Sequence, residues 1–162
     1  MTMRKTWKSV WLEMLEAIKG RSTCRSKKAA LIIDPDSKMV ISYGYNGAPA
    51  GVTDCLERDY CFREQSNKGM PVSPGDGLEL CIGAHAEVNA IANSAKMGGK
   101  SLKGCLMIAS HRPCVGCLKS IVNSGISEVV FVEDYPLDSR TIVMWHLIEM
   151  EANISIKSFK DW

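Results

Sequence analysis

The sequence has no uninterrupted apolar run long enough to cross a membrane or to serve as a secretion signal. Its N-terminal amphipathic pattern is broken by Lys8, Glu13 and Glu16, so neither a spanning helix nor a leader is expected. It also has almost no charge excess, +2 over 162 residues, which argues against a dedicated nucleic-acid binder. The cations are unevenly placed: residues 1–28 hold eight Lys or Arg against two Glu, leaving the remainder acidic. Such a basic start suits phosphate, an acidic neighbouring subunit or nucleic acid. No internal repeat or low-complexity tract is present. The length fits one domain, and 46% hydrophobic with 23% charged residues is ordinary for a soluble globular protein. Cysteine is plentiful. Seven in a chain with no leader read as reduced thiols and metal ligands in the cytoplasm.

Two short motifs carry the chemistry: His85-Ala86-Glu87 and Pro113-Cys114-Val115-Gly116-Cys117. One imidazole and two thiolates make the three-ligand set of a catalytic Zn²⁺ site whose fourth position is left to water. Cys114 and Cys117 are three apart, on one face of an expected helix over residues 114–124 that Gly125 caps. Pro113 suits its first position, where a missing N–H costs nothing, and thiolates are favoured near a helix N-terminus. His85 and Glu87 are two apart and would diverge within a helix. They can serve one site only from the first turn of the helix expected over residues 86–97, with Val88, Ile91, Ala92 and Ala95 as its apolar stripe. The spacing therefore predicts two helix N-termini aimed at one zinc. Zn²⁺ brings the pKa of a water towards about 7. Glu87, beside the ion without ligating it, suits a proton carrier between water, a ring nitrogen and a leaving amine. A second reading stands beside this one: a structural zinc with a fourth protein ligand, and Glu87 as a surface acid. It leaves Glu87 and Pro113 without a role.

Trp7, Val10, Trp11, Met14, Leu15 and Ile18 fall on one face of a helix that Gly20 ends, a face for the core or for an oligomer contact. Residues 29–33 form a strand, Asp34-Pro35-Asp36-Ser37 a turn, and residues 39–43 the returning strand of a hairpin. Gly44-Tyr45-Asn46-Gly47-Ala48-Pro49-Ala50-Gly51 is expected to be a shaped loop. Asn46 there reads either as a ligand for a sugar hydroxyl or base edge, or as part of an Asn-Gly turn. Residues 52–84 show no period. Their Cys55, Cys61 and Cys81, with Cys24, are enough for a second, tetrahedral zinc or are free buried thiols. Cys105 belongs to a core strand over residues 104–110, Gly98-Gly99 ends the helix before it, and residues 128–132 are a further buried strand. Residues 139–152 read as a helix with Val143, Leu147 and Met150 aligned and His146 as a bystander; Ile154 and Ile156 alternate as a last strand. The expected fold is α/β, a three-layer α/β/α sandwich around a mixed sheet of about five strands, with the metal at the strands' C-terminal edge.

The His-x-Glu and Pro-Cys-x-x-Cys pair is the signature of zinc nucleobase deaminases. With Arg21-Ser22-Thr23-Cys24, Gly44-Tyr45-Asn46-Gly47-Ala48-Pro49, His85-Ala86-Glu87-Val88-Asn89-Ala90-Ile91 and Tyr135, the chain resembles the deoxycytidylate (dCMP) deaminases of the cytidine-deaminase-like superfamily. The resemblance covers most of residues 4–135. It implies a single deaminase domain over residues 1–162, with a cysteine-bearing insertion at about 52–84, that hydrolyses dCMP to dUMP and ammonia for thymidylate synthesis. It implies His85, Cys114 and Cys117 as zinc ligands, Glu87 as proton shuttle, and Asn46, Ala86 and Tyr135 as substrate contacts. It further implies a homo-hexamer activated by dCTP with Mg²⁺ and inhibited by dTTP, with no nucleic-acid or membrane partner. A rival deaminase acting on nucleic acid would need a basic or aromatic surface to hold the strand, against the near-neutral total. His111-Arg112 is more basic than the family's usual residues before Pro113. Arg112 is expected to face solvent rather than phosphate. Phosphate is expected instead at Arg25-Ser26-Lys27, with Ser26 and Lys27 as candidates.

Overall fold

The computed structural model describes residues 3–70, 72, 75–135 and 137–162. The sheet is built on the run Ala29-Ala30-Leu31-Ile32-Ile33, which forms β1 (Ala29–Ile33) and is buried along its whole length, as a strand covered on both faces must be. β2 (Val40–Tyr45) returns antiparallel to it, and the turn between them is held by Asp34 Oδ1, which accepts the N–H groups of Asp36 and Ser37 at 3.0 and 3.4 Å. β3 (Leu106–His111) pairs antiparallel with the other side of β1; β4 (Glu128–Glu133) and β5 (Ser155–Ser158) follow in parallel. The order is β2-β1-β3-β4-β5, with β1 alone opposing the rest. The expected five-stranded mixed sheet is present.

Side-chain alternation sends β1 to two cores. Ala30 and Ile32 join Met107, Val129 and Ile154 on the face covered by α3 (Ala86–Lys96), α4 (Val115–Asn123) and α5 (Ser139–Ala152). Ala29, Leu31 and Ile33 join Leu106, Ile108 and Val130 on the opposite face, under Trp11 and Leu15 of α1 (Trp7–Lys19). These are the three layers. Residues 52–84 contribute α2 (Phe62–Ser66) and a single 3₁₀ turn, Leu78–Leu80.

Several local expectations are corrected. Residues 44 and 45 belong to β2 rather than to a loop, because Gly44 lies against α3: a Cβ there would sit 2.2 Å from the Ala86 carbonyl oxygen and 2.3 Å from the Ala90 nitrogen. The buried face of α3 is accordingly the small-residue set Ala86, Ala90 and Ser94, while Ala92 and Ala95 of the expected stripe are exposed. Ser42 Oγ donates to the Ala90 carbonyl at 2.7 Å, and the amides of Asn89 and Asn93 donate to the Tyr45 and Tyr43 carbonyls at 2.8 and 2.9 Å, sealing helix to strand. On α5 the aligned Val143, Leu147 and Met150 point outward, and Trp145 is the buried residue. In α1 it is Trp11 and Leu15 that are buried, whereas Trp7 stacks on Trp11 at 5.8 Å and stays half exposed. His146 is exposed beside Glu149, and Cys105 is buried, as expected.

Candidate active site

α3 and α4 both begin at the C-terminal edge of the sheet, and each is opened by one of the candidate metal ligands standing just outside the helix. His85 is the N-cap of α3 and Cys114 the N-cap of α4, both in extended backbone. Pro113 therefore precedes the cap instead of occupying the first helical position. It is buried, and its carbonyl accepts the Trp145 indole N–H at 2.9 Å, which ties the turn to α5. The Cys114 sulfur accepts the Cys117 N–H at 3.4 Å, a cap made by sulfur where oxygen is usual.

His85 Nδ1 lies 3.2 Å from Cys117 Sγ and 3.5 Å from Cys114 Sγ. The three donor atoms are all within 4.8 Å of one another, the only set of three or more such ligands this close among the described residues. Bonds of about 2.0–2.3 Å to a tetrahedral ion hold neighbouring ligands roughly 3.5 Å apart, so this N, S, S set fits zinc. The charges agree. The Cys117 thiol, followed by His85, pulls Cys114 down to about 4. The same contact holds the Cys117 proton on and pushes its pKa far up, and the Cys114 sulfur raises His85. The imidazole and the two sulfurs thus share protons at the point where a cation would replace them.

Glu87, in the first turn of α3, is buried, and burial raises its carboxyl above the usual range although it touches Cys117. His85, Glu87 and Cys114 line a cavity of about 440 Å³, with Cys117 buried behind them. Asn46, Ala86 and Tyr135 line it too. Asn46 spends most of its amide on its own chain: Oδ1 accepts Ser22 Oγ and the Lys28 N–H at 2.6 and 2.7 Å, and Nδ2 donates to the Ser26 carbonyl at 2.7 Å. One amide N–H is left for a ligand. Tyr135 is half-buried, and burial raises its phenol.

The phosphate candidates divide. Ser26 reaches the cavity wall; Lys27 is exposed and does not, whereas its neighbour Lys28 does. Successive side chains of an extended segment alternate, and the bond from the Lys28 N–H to Asn46 decides which one turns in. Arg112, expected in solvent, is packed 5.1 Å from the ring centroids of both Phe131 and Trp145 and bonded to Asp134 at 2.7 Å; a flat, weakly hydrated guanidinium can stack where an ammonium would not. Cys24, Cys55, Cys61 and Cys81 all reach the same cavity. Burial, followed by the neighbouring Cys61, lifts Cys55 to about 11. No three of these four sulfurs approach as closely as the first set does.

Sequence reasoning passed over Lys28, His111 and Trp145. The His111-Arg112 pair before Pro113 was the available signal for the second; nothing local marks Trp145 as a support for the turn.

A nitrogen and two sulfurs at the meeting of two helix N-termini, with a buried carboxylate beside them, define a zinc-binding α/β protein with a mononuclear site. The chain belongs to the cytidine and deoxycytidylate deaminase family, whose zinc-binding-region model matches residues 5–133. Similar proteins include the deoxycytidylate deaminases of Schizosaccharomyces pombe (34% identical, 85% of this chain and 40% of that one) and of Mycobacterium phage D29 (32%, 81% and 98%). The mouse deoxycytidylate deaminase is 32% identical over 92% of this chain and 79% of its own. The chain spans less than half the length of the two yeast relatives, 40% and 46%. Its fold resembles that of dCMP deaminase from the cyanophage S-TIM5, solved in complex with dCMP and dUMP, with a TM-score of 0.68, 21% identity and coverage of 97% and 99%.

Proposed function

We propose that the protein hydrolyses dCMP to dUMP and ammonia, with His85, Cys114 and Cys117 holding Zn²⁺ and Glu87 carrying protons. The observation that carries this is the buried Glu87 carboxyl at the His85, Cys114 and Cys117 cluster, on the wall of a cavity of nucleotide-accommodating size. Zinc, when bound, supplies the Lewis acidity that readies a water for attack at neutral pH. Glu87 takes a proton from that water, passes it to the pyrimidine ring nitrogen, and delivers one to the departing amine. A buried carboxyl with a raised pKa suits both acceptance and return. Asn46, through its remaining N–H, and Ala86 and Tyr135, as walls, orient the nucleoside. Membership of the family and the named relatives support this choice of substrate.

The same reading takes the chain as one cytoplasmic deaminase domain with a cysteine-bearing insertion. No helix among the described residues is long and apolar enough to cross a membrane. Cys24, Cys55, Cys61 and Cys81 close around a second, structural zinc, supported by their lining the same cavity. The active form is a homo-hexamer, activated by dCTP with Mg²⁺ and inhibited by dTTP. Exposed Val143, Leu147 and Met150 on α5 offer apolar area for subunit contacts.

Ammonia release from the purified protein is the test, with dCMP, dCTP, deoxycytidine and single-stranded DNA, each with and without dCTP or dTTP as effector. Turnover of dCMP, raised by dCTP and lowered by dTTP, is expected. Absence of turnover by zinc-loaded protein on every substrate overturns the enzymatic reading.

A further inference from the structure

The cavity is lined by four basic side chains of Arg or Lys, and three of them have oxygen partners. Arg25 Nε pairs with Glu64 at 3.2 Å, Arg63 Nε donates to the Asp76 carbonyl at 2.8 Å, and Arg112 pairs with Asp134. Lys28 is different. Its ammonium meets His111 Nε2, and no carboxylate of the described residues lies within ion-pair distance of it. Behind His111 is a fixed set of groups: Nδ1 lies 3.3 Å from the buried Ser110 Oγ, which also accepts the Ala29 N–H at 3.0 Å. Glu133 Oε2 stands 3.2 Å from Nε2 on the outer side, and Lys19 holds the other oxygen of that carboxylate at 3.3 Å. A neutral His111 with its proton on Nδ1 donates to Ser110 and accepts from Lys28 at Nε2, and the Lys28 charge offsets the Glu133 carboxylate that stands beside the same nitrogen. Burial pulls His111 below its ordinary value, in agreement with the neutral form.

Lys28 is thus held at its backbone by Asn46 and at its head by His111, leaving two N–H bonds of its ammonium for a ligand on the cavity wall. Burial alone would lower its pKa and disfavour the charge. A half-buried ammonium without a carboxylate partner suits an incoming anion. We propose that Lys28 binds the 5′-phosphate of the nucleotide substrate and that His111 is the positioning residue that presents it. The proposal rests on the reading of the protein as a nucleotide deaminase. Lys28 then makes the site selective for a phosphomonoester over the free nucleoside, and the His111-Arg112 departure from the family's usual residues acquires a purpose.

The test compares dCMP with deoxycytidine in steady-state kinetics of the zinc-loaded wild type, Lys28→Gln, Lys28→Arg, His111→Ala and Lys27→Ala. Losing one charge-assisted hydrogen bond should raise KM for dCMP about 10–100-fold in Lys28→Gln, with kcat nearly kept and deoxycytidine turnover unchanged. Lys28→Arg should restore part of the loss, and His111→Ala should show the same KM-weighted split at smaller size. A parallel fall for both substrates, or the KM effect appearing in Lys27→Ala in place of Lys28→Gln, overturns the proposal. Thermal shift with inorganic phosphate separates this from the deaminase reading, since it needs no turnover. Phosphate should raise the melting temperature of the wild type and not of Lys28→Gln, and an equal rise in both rejects the subsite. Wild-type protein that shows the phosphate shift yet leaves dCMP untouched rejects the deaminase reading instead.

Discussion

Glu87 keeps its carboxyl largely buried at the wall of the cavity, against the cost that burial imposes on any charge. Replacing it with glutamine preserves shape and removes the proton carrier. Glu87→Gln is expected to lower kcat by about 10²–10⁴-fold while the zinc content, read by metal analysis, stays at the wild-type level. A variant that keeps its turnover would remove Glu87 from the mechanism. Gly44 shows a different dependence on neighbours, because its missing Cβ is the space occupied by the α3 backbone. Backbone cannot move aside as a flexible side chain can, so Gly44→Ala should cost about 1–3 kcal/mol or more in urea unfolding. An unchanged midpoint would mean that the helix rides further from the sheet than described. At this scale the candidate ligands and Glu87 were picked out as a group that the fold does bring together, because N, S, S donors and an adjacent acid have a spacing of their own. Lys27 and Arg112 were misplaced, since the direction of an exposed-looking cation is decided by partners distant in sequence: Asn46 for the segment at Lys28, and Phe131 and Trp145 for Arg112.

The helices illustrate what periodicity reads well and what it does not. Five strands and the long helices were found from runs and turn residues, and residues 139–152 were bounded as observed. The α5 stripe was assigned to the wrong side, and the α3 stripe was right for Val88 and Ile91, which pack on the core, but not for Ala92 and Ala95. An apolar stripe wins burial only when a facing surface can receive it; β2 receives alanine and serine, and α5 turns Trp145 inward because its indole N–H has the Pro113 carbonyl to meet. Trp145→Phe keeps the bulk and drops that bond, leaving a buried carbonyl unpaired at a cost of ~1–3 kcal/mol, or a melting point lower by about 2–10 °C. A loss restricted to stability, with kcat intact, would show that α5 does not steady the Cys114 turn. Turns carry the acid sensitivity. Lys100 and the Asp36 N–H hold Asp34 well below its usual 3.8, and Thr141 does the same, to a smaller extent, for Asp138 at the start of α5. Depressed carboxylates contribute stability above the unfolded pKa and lose it as pH falls through the folded one. The melting temperature should therefore be level near neutral pH and fall below about pH 4, with Asp34→Asn flattening the fall.

At the scale of the whole molecule, zinc is expected to tie α3 to α4 within one layer, since the candidate ligands come from the starts of those two helices on one face of the sheet. Removing it with a chelator should lower the melting temperature and abolish activity, and zinc should restore both. Metal analysis should find two zinc ions per chain, reduced to one in Cys61→Ser; a single ion in the wild type would leave Cys24, Cys55, Cys61 and Cys81 as free thiols. The sequence by itself determined the layers, the strand count and the N, S, S donor set that the fold brings together, because hydrophobic period, turn chemistry and donor type are local properties of a chain. Only the tertiary structure decided which of Lys27 and Lys28 faces the cavity, which side of each helix is buried and that four distant cysteines line the same cavity. Those outcomes depend on what stands opposite, and the opposing partners lie tens of residues away.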